Sequence, residues 1–236
     1  MRHKTLDGGC LEIFTTGKSD ILLFQRGLGT ISQYYIELIT LLANDFEVLV
    51  TNVSKLKKDH PQPKSIEEYI DGAVEICSKN NIEPRYKFGH SLGGQLVLVE
   101  PISSEKNISI SPIVPVEYGL YGFLARAVYQ GAKGYLNGKK GREMADSITL
   151  KITRNLPNVI EFVESLKKTD YKFSPKCPSL VIETLYDEFF PATKESRKLF
   201  KHKNITYKTV ERDHSWPINF PVEVYEEVRK FLNTSK

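Results

Sequence analysis

The stretch Tyr86-Lys87-Phe88-Gly89-His90-Ser91-Leu92-Gly93-Gly94-Gln95-Leu96-Val97-Leu98-Val99 decides the fold. Tyr86-Lys87-Phe88 reads as a short strand, and Gln95, Leu96, Leu98 and Val99 open a helical pattern. Between them stands Gly89-His90-Ser91-Leu92-Gly93. A sharp strand-to-helix turn holds its serine in a strained backbone conformation, so the residues two before and two after must lack side chains. Ser91 then projects its hydroxyl above the sheet. The free amides and dipole at the start of the following helix favour developing negative charge, which makes the Leu92 amide a candidate oxyanion donor.

Outward from this turn, strand and helix patterns alternate. Leu11–Phe14 and Ile21–Phe24 are short apolar runs separated by Gly17-Lys18-Ser19-Asp20. After Gly27-Leu28-Gly29, Thr30 and Gln33 predict a capping box, with Ile31, Tyr35, Leu38 and Leu42 at helical spacing. Phe46–Val50 reads as a strand, and Ser65 with Glu68 opens a second helix carrying Tyr69, Ala73 and Ile76. Ile108–Val114 is a further strand, with Pro112 near its end because proline removes a ladder donor. Ser179–Ile182, a helix over Thr193–Phe200, Ile205–Val210 and an amphipathic helix over Val222–Leu232 complete the series.

This order predicts an α/β fold, a mostly parallel central sheet flanked by helices, in a single domain over 1–236. Residues 116–171 break the rhythm. Tyr118, Leu120, Tyr121, Phe123, Leu124, Val128 and Tyr129 make their first part strongly apolar, as expected of a small helical cap or the core of one.

Of the 236 residues, 40% are apolar and 26% charged, and no apolar run approaches the roughly 20 residues that span a bilayer. The start, Met1 to Asp7, is basic but has no apolar stretch behind it, so a soluble cytoplasmic protein is expected. Cys10, Cys77 and Cys177 lie far apart with no metal-ligand spacing, which predicts reduced, buried small residues. Three Asn-x-Ser/Thr triplets, at Asn107, Asn204 and Asn233, carry no weight without an export signal. The net charge of +4 comes from dispersed lysines. The densest groups, Lys55, Lys57 and Lys58 and then Lys139, Lys140 and Arg142, have no aromatic ladder beside them, so no nucleic-acid partner is expected.

A serine needs a base to take its proton, and five histidines are available. His3 falls in a terminus expected to fray, His60 in a polar Pro-rich loop, and His202 in a Lys-rich turn. His90 adjoins the serine, but the turn directs its side chain elsewhere. His214 follows the last strand and precedes the final helix, a position from which it reaches Ser91. The base also needs a carboxylate at the end of a neighbouring strand to set its tautomer and stabilise its cation. Asp187, after Leu180-Val181-Ile182-Glu183-Thr184-Leu185-Tyr186, fits best. Asp213 adjoins the histidine but is badly placed for its ring, Glu188 is one residue off, and Glu117 is a third rival. The second oxyanion donor is expected from Gln25-Arg26-Gly27-Leu28-Gly29, with Leu28 as the candidate amide.

Together these residues resemble the α/β-hydrolase superfamily across nearly the whole chain, and the order Ser91, Asp187, His214 is that superfamily's. Cys177-Pro178-Ser179-Leu180-Val181 looks like the approach to its acid-bearing strand, Phe220-Pro221 like the start of its last helix, and 116–171 holds the place of its cap. The resemblance implies ester hydrolysis through an acyl-enzyme, on a small-molecule ester or acyl substrate, with no metal or organic cofactor. Thioesterase, carbon-carbon hydrolase, aminopeptidase, cofactor-free haloperoxidase and hydroxynitrile lyase chemistry share the fold, as would a non-catalytic ligand binder. One departure is Arg26-Gly27 where members commonly have His-Gly. Arg26 has two readings, a polar network under the loop or a contact to an anionic substrate group.

Overall fold

Runs such as Tyr86–His90 and Ser179–Thr184 bury every residue, which a strand achieves only when both faces of its sheet are covered. The computed structural model describes residues 1–56, 63–114, 125–126, 156–168, 173–191 and 193–234. Within them, eight strands form one sheet: β1 Arg2–Leu6, β2 Leu11–Thr15, β3 Ile21–Gln25, β4 Glu47–Thr51, β5 Tyr86–His90, β6 Lys106–Ile110, β7 Ser179–Thr184 and β8 Ile205–Val210. Their order is β1-β2-β4-β3-β5-β6-β7-β8. β1 and β2 run antiparallel at one edge, and the pairs from β4 to β8 are all parallel. The α/β architecture expected from the sequence is the one observed.

Pleating divides the apolar side chains between two layers. Leu22 and Phe24 of β3, Phe88 of β5, and Ile108 and Ile110 of β6 pack with α1 (Ile36–Leu42) and the C-terminal helix Pro221–Asn233. That helix contributes Val224, Val228 and Leu232, spaced one turn apart on a single face. On the opposite side, Val181 of β7 meets α2 (Ile66–Lys79), α3 (Leu92–Val99) and α4 (Leu156–Lys168) through Ile66, Leu96, Val97, Phe162 and Leu166. α5 (Lys194–Leu199), α6 (Trp216–Asn219) and α7 (Pro221–Asn233) complete the described helices.

The strand order reverses direction at β3, which has β4 on one side and β5 on the other. In open α/β sheets a crevice for ligands opens there, beyond the carboxyl ends of the strands. The loops after β3, β5, β7 and β8 carry Leu28, Ser91, Asp187 and His214 respectively, so all four site candidates fall on this edge.

Local chemistry accounts for most boundaries. The Ser65 hydroxyl accepts from the Glu68 amide at 3.3 Å and starts α2 as expected, and β6 ends at Ile110, two residues before Pro112. The Thr30–Gln33 capping box does not form. Thr30 instead donates its hydroxyl to the Gly27 carbonyl at 2.7 Å, and the chain enters α1 through a 3-10 turn over Ser32–Tyr35. His3 lies in a strand rather than a frayed end: its ring stacks on Phe14 at 4.3 Å, and Nε2 lies 3.4 Å from Glu12. Cys10 and Cys77 are buried, but Cys177 is only partly so.

Most of the cap expected over 116–171 lies outside the described residues, as does Glu117. Its α4 packs onto the body, with the Phe162 ring 5.8 Å from that of Tyr69. No helix among the described residues is long and apolar enough to cross a membrane.

Phe88 is fully buried in central strand β5, its ring 4.8 Å from that of Phe24. Phe88→Ala is expected to cost about 3–5 kcal/mol in urea denaturation. Val222→Ala, at a position 56% exposed on α7, should stay within about 0.5 kcal/mol of the native value.

Candidate active site

The site is built on the turn between β5 and α3. Ser91 has φ +56° and ψ −120°, a conformation disfavoured for any residue with a Cβ, and it immediately precedes α3. What holds it there is close backbone packing. A Cβ on Gly89 would lie 2.0 Å from the Gly93 carbonyl oxygen, and one on Gly93 would lie 1.9 Å from that of Gln25. The Ser91 amide donates to Ile110 at 2.9 Å and the Gly93 amide to Arg26 at 3.1 Å, so the turn is anchored to the ends of β6 and β3.

Those bonds leave two amides over. In the oxyanion loop the Gly27 amide points at the Tyr35 hydroxyl (3.4 Å) and the Thr30 amide at the Gly27 carbonyl (3.3 Å). The amides of Leu28 and Leu92 have no hydrogen-bond acceptor among the described residues. These are the two proposed from sequence as oxyanion donors.

Asp187 and His214 come together as expected. Asp187 Oδ2 lies 2.7 Å from His214 Nδ1. Asp187 is 4% exposed, and its Oδ1 accepts from the amides of Phe189 (2.8 Å) and Phe190 (2.7 Å). Thr184 donates to Oδ2 at 3.3 Å and is itself 2.8 Å from the Ser111 hydroxyl. Burial raises the Asp187 pKa, but the His214 charge and these donors outweigh it and hold the carboxyl below its usual range. Burial likewise disfavours the His214 cation, and the facing Asp187 carboxylate more than offsets it, so His214 titrates above an ordinary histidine. Of the rivals for the acid, Asp213 turns its carboxylate to the Ser215 amide at 3.0 Å instead of the ring. The Glu188 carbonyl accepts from Arg126, which ties the 116–171 segment to the acid loop.

Sequence reasoning set His90 aside and overlooked what it does. Its Nε2 lies 2.8 Å from the His214 carbonyl oxygen and its Nδ1 2.7 Å from the Tyr35 hydroxyl. A carbonyl only accepts, so Nε2 carries the proton and Nδ1 accepts from the tyrosine. Both nitrogens are therefore engaged and His90 cannot serve as the base. Burial, reinforced by the nearby His214, pushes its pKa down to about 3. The chain Gly27–Tyr35–His90–His214 links the loop after β3 to the loop after β8. No sequence pattern marks Tyr35 for this work, because it reads as one apolar member of a helix face.

No hydrogen bond joins the Ser91 hydroxyl to His214 in this resting geometry, and such contacts commonly tighten only when substrate binds. His90, next to Ser91 in the chain, places its ring centroid 4.9 Å from that of His214. Phe189 and Phe190 flank the His214 ring at 5.2 and 5.8 Å. Among the described residues no cluster of His, Cys, Asp and Glu side chains is placed to hold a metal ion.

Neither a protein-family model nor a curated protein matches the chain. Solved structures do. A serine hydrolase from the polyaromatic-hydrocarbon-degrading bacterium Cycloclasticus zankles superposes with a TM-score of 0.74 at 15% identity, covering 98% of both chains. This chain has the α/β-hydrolase fold. A hydrolase from Pseudomonas aeruginosa gives a TM-score of 0.73 at 15% identity over 99% of this chain and 98% of its own. A thermophilic esterase from Thermogutta terrifontis gives 0.69 at 15% identity over 98% of both. An α/β-hydrolase sheet of this order puts Ser91, Asp187 and His214 on one edge, and the likeness extends over nearly the full length of each chain.

The Asp187–His214 pair makes stability depend on pH. The raised His214 pKa contributes stability that is complete below the unfolded value near 6.5 and is lost as pH rises through the folded one. The lowered Asp187 pKa contributes stability above about 3.8 that is lost as pH falls through its folded value. A histidine titration followed by NMR should show His214 with a midpoint above that of a free histidine, and Asp187→Asn should bring it down. His90 should stay neutral throughout the range in which His214 titrates.

Proposed function

We propose that this protein is a serine hydrolase that cleaves carboxylic esters through an acyl-enzyme, with Ser91 as nucleophile, His214 as base and Asp187 as the acid that orients it. The observation that carries the reading is the 2.7 Å contact between Asp187 Oδ2 and His214 Nδ1. It commits Nδ1 to donating and leaves Nε2 as the nitrogen able to accept a proton, at a sheet edge that also presents a strained serine.

In this mechanism His214 Nε2 takes the Ser91 proton as Oγ bonds to the acyl carbon. The carbonyl oxygen becomes an oxyanion, and the unengaged Leu28 and Leu92 amides are available to stabilise it. Protonated His214, steadied by Asp187, gives its proton to the departing alkoxide, so an alcohol leaves and an acyl-Ser91 ester remains. Water then repeats the sequence: His214 accepts its proton, hydroxide adds to the acyl carbon, and Ser91 recovers the proton as the acid departs. An esterase and a serine hydrolase stand among the structural neighbours, in keeping with this reaction class.

Hydrolysis of p-nitrophenyl esters of increasing acyl length tests the reading. Ser91→Ala should lower kcat/KM by at least about a thousandfold and abolish fluorophosphonate labelling while the protein stays folded. The native kcat/KM should rise with pH as His214 loses its proton, with a midpoint above the ordinary histidine value. Folded native protein that neither turns over any ester nor takes the label would rule the esterase out and favour a ligand-binding role.

A further inference from the structure

The oxyanion loop carries a charge that the ester mechanism does not use. Arg26 immediately follows β3, and its Nη1 donates to the Thr30 carbonyl at 2.5 Å. Its Nε is buried with no hydrogen-bond partner. Nη2 has none either among the described residues, and no carboxylate there forms an ion pair with the guanidinium. Glu12, the carboxylate that acts on it most strongly, is already engaged by the Ser32 hydroxyl at 2.7 Å and by His3 at 3.4 Å. Holding a partly buried guanidinium on one carbonyl partner, with Nε shut off from water, is costly, and a purely structural position would accept an uncharged side chain at less cost.

Arg26 lines a cavity of about 330 Å³. Gly27 and Leu92, which flank Ser91 in space and in sequence, also line it, so the cavity reaches the residue of one of the two proposed oxyanion donors. Thr30, Asn52 and Tyr69 add polar atoms to its wall. Burial keeps the Tyr69 phenol protonated well above its ordinary pKa, so it meets an anion as a neutral donor. Lys55 borders the cavity too, but it is exposed and its ammonium lies beside Gly9. Arg26, partly buried, is thus the less exposed of the two cations on this wall. With Nη1 taken by the loop and Nε shut off from solvent, Nη2 is the donor left to meet a carboxylate.

We infer that Arg26 binds a carboxylate of the substrate in this cavity, so that the preferred ester carries a free acid group a few bonds from the scissile carbonyl. The inference rests on the esterase reading for its chemistry, and on the cavity and the unpaired guanidinium for its specificity. It separates this site from one that takes only neutral acyl chains.

The test compares the p-nitrophenyl monoester of glutaric acid, which keeps a free carboxylate, with p-nitrophenyl pentanoate. The native protein should favour the acid by about tenfold to a hundredfold in kcat/KM, the worth of a hydrogen-bonded charge. That ratio should collapse towards one in Arg26→Gln and survive in part in Arg26→Lys; a ratio is read because it cancels general damage to the loop. Calorimetric titration of the native protein with glutarate and with glutaramide gives a measure that needs neither turnover nor a variant. Glutarate binding with none for glutaramide supports the site. Equal behaviour of the two ligands, or a native ester ratio near one, overturns it. So does a ratio unchanged in Arg26→Gln. If neither ester is hydrolysed, the esterase reading fails and the glutarate titration alone decides the carboxylate site.

Discussion

The closeness of α3 to the sheet is the constraint on which the rest of the site depends. Gly89, Gly93 and the carbonyl of Gln25 approach to distances at which no Cβ fits, and this approach holds Ser91 at positive φ. Three strands are tied together at the same point, since the Ser91 and Gly93 amides bond to β6 and to the end of β3. Those bonds leave the Leu28 and Leu92 amides without an acceptor among the described residues, the second of them next to the serine in the chain. The strain and the unpaired donors therefore come from one packing arrangement, as expected where function is built on over-determined backbone.

Around that turn the electrostatics are arranged by burial. Asp187 and His214 are both drawn toward their charged forms against the cost of desolvation, because each is the other's partner and Asp187 also accepts backbone amides. His90, next to Ser91 in the chain and close to His214, is driven the other way and kept neutral. Two neighbouring imidazoles thus divide the work: one is free to exchange a proton, and the other fixes the loop that carries it.

Two cations near β3 and β5, one buried and one partly buried, make a useful contrast. Lys87, 2% exposed, donates to the Ile102 carbonyl at 2.8 Å and lies 3.5 Å from Glu100. Glu100, pushed up to about 7 by burial, accepts from Gln25, which in turn accepts from Thr51. That network ties α3 to the sheet and uses its charge internally. Arg26 has no carboxylate partner among the described residues and lines the cavity beside Gly27.

Much of this was legible in the amino-acid sequence because it is local. Gly89-His90-Ser91-Leu92-Gly93 admits few backbone conformations, apolar runs at strand and helix spacing state which faces are buried, and Pro112 and Ser65 mark element boundaries close to where they fall. The order of Ser91, Asp187 and His214 followed from strand ends. The Thr30 capping box failed because the Thr30 hydroxyl and carbonyl are both used by the loop before it, and His3 joined a strand because Phe14 and Glu12 receive its ring. The tertiary structure alone decided what distance and burial control: the Asp187–His214 contact, the Tyr35–His90 relay between two loops, and the isolation of Arg26. Each depends on groups far apart in the chain meeting where water is excluded, and residue order does not encode that separation.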